Sequence, residues 1–226
     1  LLTTEQENRR AAFFQAIKDR DMARIEKSFP FMETDAEVDS VSALGCAAIE
    51  GWEEGLEFFL AKGIDIEAVD SKGYTAIQKA VLGNKPEIVE LLRSRGANIG
   101  AVGRRSCLLV ALNARNIGML RFLRGLGADF NEKCGSVRGT LLHYAYTIPG
   151  HEELIKFLTE EAGISRAVRD GYGRTVFHWI LSRGEVSSVE LGRILEDERA
   201  CAEFDIRATD SEGRSAVHFA AGGKQN

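Results

Sequence analysis

The chain has 226 residues, 44% of them apolar, with 23 Gly and only 3 Pro, which is the composition of a folded protein built from many short elements separated by glycine turns. No apolar run reaches the roughly 18 residues that a membrane span needs, and the polar start, Leu1 to Arg10, has no signal-peptide core. The net charge of −5 is unevenly spread, −9 over residues 1–70 and +4 over residues 71–226, and such asymmetry bears on partners rather than on fold.

In chain order, residues 1–8 form a polar lead-in and Arg9 to Phe31 an atypical first helix pair. An acidic connector runs from Glu33 to Asp39. Residues 1–39 are therefore taken as lead-in and capping pair. One phrase then recurs. It reads Asp70-Ser71-Lys72-Gly73-Tyr74-Thr75-Ala76-Ile77, and returns as Asp170-Gly171-Tyr172-Gly173-Arg174-Thr175-Val176-Phe177-His178. It appears again as Asp210-Ser211-Glu212-Gly213-Arg214-Ser215-Ala216-Val217-His218, and more weakly as Arg138-Gly139-Thr140-Leu141-Leu142-His143-Tyr144-Ala145. Degenerate copies are centred on Ser42 and Ser106. The hydroxyl residues Ser42, Thr75, Ser106, Thr140, Thr175 and Ser215 are separated by 33, 31, 34, 35 and 40 residues. Each phrase is followed by an amphipathic stretch ending in paired apolar residues and a Gly turn, such as Leu91-Leu92 before Gly96 and Phe122-Leu123 before Gly127. Apolar positions at i, i+3, i+4 predict helices, and the Gly suits the left-handed residue after a helix end.

A period near 33 with this phrase resembles the ankyrin repeat family over nearly the whole chain, the unit Asp70 to Ala101 being the best match. The Thr-Pro of the family phrase is not kept: Thr75-Ala76, Thr140-Leu141 and Thr175-Val176 stand in its place. The resemblance implies an all-α solenoid of about six to seven stacked helix-turn-helix units with β-turn or hairpin fingers. Repeats are placed at about 40–69, 70–100, 101–134, 135–169 and 170–209, with a partial unit at 210–226. Asp or Asn with Gly supports the tight finger turn, the Thr or Ser caps the first helix, and small inward residues let stacked units bury a face that one unit alone cannot. Pro149-Gly150 is expected to lengthen the turn of the fifth unit, and residues 183–209 to hold a longer second helix or enlarged loop. The missing starting Met and the partial last unit suggest a chain cut from something longer.

No catalytic residue, metal site, cofactor or small-molecule substrate is expected. His143, His178 and His218 share the fourth phrase position, which the resemblance makes structural, bonding to the backbone of the neighbouring finger. His151 after Gly150 fills the turn between two helices. No His has an i+4 His partner. Cys46, Cys107, Cys134 and Cys201, separated by 61, 27 and 67 residues, match no metal or redox spacing. They read as free thiols of a reducing compartment, so the expected location is intracellular, cytoplasmic and/or nuclear. Asp170-Gly171-Tyr172-Gly173 reads as a finger turn rather than a phosphate loop, and Glu53-Glu54, Glu152-Glu153 and Glu160-Glu161 as solvated helix faces.

By the resemblance, fingers and first helices line a concave surface that binds partners. Five successive fingers carry a basic residue, Lys72, Arg104 and Arg105, Arg138, Arg174 and Arg214, and Tyr74 and Tyr172 join them. Tyr and Arg are enriched in binding hot spots. First-helix positions facing the same hollow include Trp52, Leu82, Asn113, Arg115, Thr147 and Arg183. Trp52 is a binding anchor if exposed and turn packing if buried. The reading is a protein-interaction scaffold, monomeric, whose cations steer an acidic partner. The alternatives are a regulatory array packing on a neighbouring domain of a larger enzyme or signalling protein and, behind that, nucleic acid or anionic lipid on the same ladder, against which an acidic chain with pI near 5.5 argues. Asn131 resembles the asparagine that is hydroxylated in many ankyrin domains, or else ties the loop to the next finger.

Overall fold

The computed structural model describes residues 4–32, 37–100, 105–183, 195–196 and 202–222. Helices come in pairs: α1 (Thr4–Lys18) with α2 (Met22–Met32), α3 (Glu37–Glu50) with α4 (Glu53–Ala61), and α5 (Ala76–Leu82) with α6 (Pro86–Ser94). Then follow α7 (Cys107–Asn113) with α8 (Ile117–Gly125), α9 (Leu141–Ala145) with α10 (Glu152–Lys156), and the first helices α11 (Val176–Arg183) and α12 (Ala216–Gly222). Each first helix packs on the next, α1 on α3, α3 on α5 and so on to α11 on α12. That one-dimensional stacking is an all-α solenoid. The longer second helix or enlarged loop expected at 183–209 falls largely outside the described residues.

The capping chemistry shows why α5, α7, α9 and α11 begin where they do. Gln78 N–H donates to Thr75 Oγ1 (3.4 Å) and Leu109 N–H to Ser106 Oγ (3.1 Å), which satisfies free donors at the starts of α5 and α7. In α9 and α11 the hydroxyls of Thr140 and Thr175 instead meet the Nδ1 of His143 and His178, at 2.8 and 2.9 Å. Ala80, Ala111 and Ala145, five residues after the caps Thr75, Ser106 and Thr140, are fully buried, as is Ala47 in α3. That helix starts at Glu37 and runs through Ser42, which is therefore not its cap as the repeat phrase suggests. The small methyl lets these first helices approach closely, while in α11 the same position is taken by the buried Ile180. The second helices contribute the bulk of the core, with Leu56 and Phe59, Ile88, Val89 and Leu92, Met119, Leu120 and Leu123, and Leu154 and Leu158 all buried.

Two irregularities follow from sequence length. Six residues separate α9 from α10 where three separate α5 from α6, so Pro149-Gly150 does lengthen that turn. Gly163 lies five residues after Leu158, whereas Gly96 lies four after Leu92. The extra residue is absorbed by a π turn, Phe157–Glu161, closed by Ala162 N–H to the Phe157 carbonyl at 2.9 Å.

Candidate partner-binding surface

Three of the fingers are built around an aspartate. Asp70, Asp170 and Asp210 each turn Oδ1 onto two backbone N–H groups of their own finger, those of Lys72 and Tyr74, of Tyr172 and Arg174, and of Glu212 and Arg214, at 2.8–2.9 Å. Oδ2 takes a cation: Lys79 at 2.8 Å, Arg174 at 2.7 Å and Arg214 Nη2 at 2.8 Å. Asp170 Oδ2 also accepts from Trp179 Nε1 at 2.9 Å. Burial alone would raise the Asp170 carboxyl; the hydrogen bonds from Trp179, the finger N–H groups and Arg174 overcome it and hold the group below the usual carboxylate range. Single bridges, Arg169 to Thr175 and Thr209 to Ser215, close two of these fingers, and Cys134 to Gly139 closes another.

Imidazoles tie one finger to the next. His143 Nε2 donates to the Arg174 carbonyl (3.1 Å) and His178 Nε2 to the Arg214 carbonyl (3.2 Å), while each Nδ1 accepts from its own Thr. Burial pushes His143 down to about 4. Gln78 fills the same role in its unit, with Nε2 donating to the Arg105 carbonyl at 3.2 Å. These histidines are structural, and His151 likewise bonds the Ile148 carbonyl at 2.8 Å.

The basic ladder divides in two. Arg174 and Arg214 are held by Asp170 and Asp210 of their own fingers, so their charge is already cancelled. Arg105 instead donates to the Lys72 carbonyl and lies over the Tyr74 ring, 4.1 Å from its centroid. Lys133 donates to the Asp170 carbonyl at 3.2 Å and Arg115 to that of Pro149. Lys72 and Arg138 are exposed, with no carboxylate partner among the described residues. Uncancelled positive charge therefore sits on the fingers around 70–75, 105 and 133–139. Arg104 and the side chain of Arg183 lie outside the described residues.

Trp52 is corrected. It is 3% exposed and covers Gly55, where an added Cβ would stand 2.1 Å from the indole ring. It packs the turn into α4 and offers no anchor to a partner. Asn113 is exposed at the end of α7, Leu82 is exposed at the end of α5, and Tyr172 is 50% exposed. Thr147 donates back to the Tyr144 carbonyl at 2.7 Å. Asn131 is exposed and its N–H donates to Asp129 Oδ1 at 2.9 Å.

One row was not anticipated. The residue four places after the caps Thr75, Thr140 and Thr175 ties its helix to its own finger: Lys79 to Asp70, Tyr144 Oη to the Cys134 carbonyl (2.8 Å), and Trp179 to Asp170. Tyr144 and Trp179 meet edge to face with centroids 5.3 Å apart. The signal was present as a position recurring with the repeat, hidden because its residue type changes.

Among the described residues no group of three or more His, Cys, Asp and Glu could hold a metal ion, and no helix is long and apolar enough to cross a membrane. Cys46, Cys107 and Cys134 are free thiols, and burial pushes Cys107 up to about 12. Cys201 lies outside the described residues.

Residues 44–93 match the family model for ankyrin repeats (many copies). The solenoid is built of ankyrin repeats. A chain in the structure of a predatory endopeptidase from Bdellovibrio bacteriovorus in complex with an immunity protein superposes on the array with a TM-score of 0.55. It is 19% identical, and the match covers 80% of this chain and 91% of that one. At that identity the likeness is one of fold. Ankyrin repeats generally mediate protein–protein interaction.

Proposed function

We propose that the ankyrin array is a non-catalytic, monomeric, intracellular scaffold that binds an acidic partner protein along its concave face of fingers and first helices. The observation that carries this reading is the division of the ladder. The cations of the fingers near 70–75, 105 and 133–139 donate to carbonyls or stand in solvent, while Arg174 and Arg214 are neutralised within their own fingers. A carboxylate arriving at Lys72, Arg105 or Arg138 meets a donor whose charge is uncancelled, and such charges steer encounter as well as hold it. Asn113 and Arg115 on the neighbouring helix end, and Tyr74 beneath Arg105, complete the proposed contact area.

The test is affinity capture from a cell extract at low and high salt, using the wild-type chain and the pair Lys72→Glu with Arg138→Glu. Both side chains are exposed and make no ion pair among the described residues, so helical content should hold. An acidic protein captured by the wild type, and lost both in the pair and at high salt, is the expected result. A partner retained by the pair overturns the acidic-ligand reading and moves the site elsewhere on the solenoid.

A further inference from the structure

Arg138 occupies a backbone conformation that its side chain disfavours. Its φ is +51°, in the left-handed region, where the corresponding finger turns at 73, 173 and 213 all use Gly. The other left-handed arginines have a structural use for their side chains. Arg20 donates to the Glu50 carbonyl (3.2 Å) and Arg115 to that of Pro149, each tying one inter-helix turn to the next unit. Arg138 has no such tie among the described residues. Its stem lies against Gly171 of the next finger, where an added Cβ would stand 2.7 Å from Arg138 Cβ, and Gly171 N–H donates to the Arg138 carbonyl at 2.9 Å. The stem of the side chain is thus supported, while among the described residues its guanidinium has no carboxylate.

The Asp170 carboxylate beside Gly171 is spent. Both oxygens of Asp170 are used by Trp179, Arg174 and two finger N–H groups. Lys133 adds a second cation by donating to the Asp170 carbonyl. Next to Gly171 stands Tyr172, half exposed, with Arg174 against its ring at 5.1 Å from the centroid. An unbalanced guanidinium and an open aromatic surface therefore occupy adjoining finger tips. Strain retained for one exposed side chain is a mark of function.

We infer that Arg138 and Tyr172 form a paired subsite for an acidic residue next to an aromatic one in an extended segment of the partner. The guanidinium takes the carboxylate, with Lys133 reinforcing it, and the Tyr172 ring takes the aromatic side chain. This rests on the acidic-partner reading and narrows it to a short sequence signature.

The experiment is selection of random short peptides displayed on phage against the full chain, its Arg138→Gly variant and its Tyr172→Ser variant. Wild type should enrich peptides in which Asp or Glu adjoins Phe, Tyr or Trp. Arg138→Gly should lose the acidic enrichment and keep the aromatic one, with Tm unchanged or raised because Gly suits the backbone. Tyr172→Ser should do the reverse. Should Arg138→Gly lower Tm, Arg138→Gln asks the same question with the backbone preference left alone. Enrichment of acidic residues without aromatics overturns the paired subsite and leaves the acidic-partner reading standing. Peptides without acidic residues, or no enriched peptides, overturn both. Unchanged enrichment by Arg138→Gly together with Arg138→Gln removes Arg138 from the site.

Discussion

The Nε2 of His143 donates to the carbonyl of Arg174, 31 residues further along the chain, at 3.1 Å. That bond joins two successive fingers, and on the other side of the same ring Nδ1 accepts from Thr140, which only the neutral imidazole can do.

A pH dependence follows from it. The unfolded His143 takes a proton near 6.5, while burial keeps the folded imidazole neutral down to about 4. Between those values the unfolded chain binds more protons, so this contribution is fully present above 6.5 and is lost as pH falls toward 4. The loss amounts to roughly 3 kcal/mol at 1.36 kcal/mol per unit. His178 is also lowered by burial and acts in the same direction. Gln78 already performs this role at the same repeat position. The double variant His143→Gln, His178→Gln should therefore fold at neutral pH and show a flatter decline of Tm on acidification. A wild-type Tm that stays level from pH 7 to the mid-4 range would contradict the assignment.

The aspartate at the base of three fingers supports a second prediction. Asp170 accepts four hydrogen bonds and pairs with Arg174. Asn at this place keeps the shape but turns one acceptor into a donor and leaves the guanidinium unpaired. Asp170→Asn should cost roughly 2–4 kcal/mol in urea unfolding. Trp179→Phe, which removes one bond to the same carboxylate, should cost about 1–2 kcal/mol. A change below about 0.5 kcal/mol for Asp170→Asn, the range of ordinary surface substitutions, would show that the finger is held by its backbone alone.

How far the sequence speaks depends on which residues repeat in kind. The caps recur as Ser or Thr and the small residue as Ala, so period and fold were readable from Thr75 to Ala80 and from Thr140 to Ala145. The row of Lys79, Tyr144 and Trp179 keeps its place but changes its chemistry, from ammonium to phenol to indole, and no residue pattern reveals it. The division of the ladder was encoded: Asp170 and Asp210 stand four residues before Arg174 and Arg214, whereas Ala101 and Cys134 stand before Arg105 and Arg138. Reading the arginines without that neighbour made all five fingers look alike. The left-handed backbone of Arg138 depends on how its finger packs against Gly171, which is a relation between units and leaves no local trace.

The fate of Trp52 turns on Gly55, three residues later, and gives the last prediction. The indole can lie flat over the first turn of α4 because Gly55 has no side chain; any Cβ there would overlap the ring at 2.1 Å. Gly55→Ala ought to gain helix propensity in isolation. Here it should instead destabilise the chain by about 1–3 kcal/mol, as overpacked cores do, with the indole displaced into solvent. Tryptophan fluorescence separates the two effects. In a Trp179→Phe background the remaining emission reports Trp52, which should resist quenching by iodide in the parent and become quenchable, with a red-shifted maximum, in Gly55→Ala. A stabilised Gly55→Ala with emission unchanged would mean that the ring does not rest on Gly55, and Trp52 would return as a residue able to meet a partner.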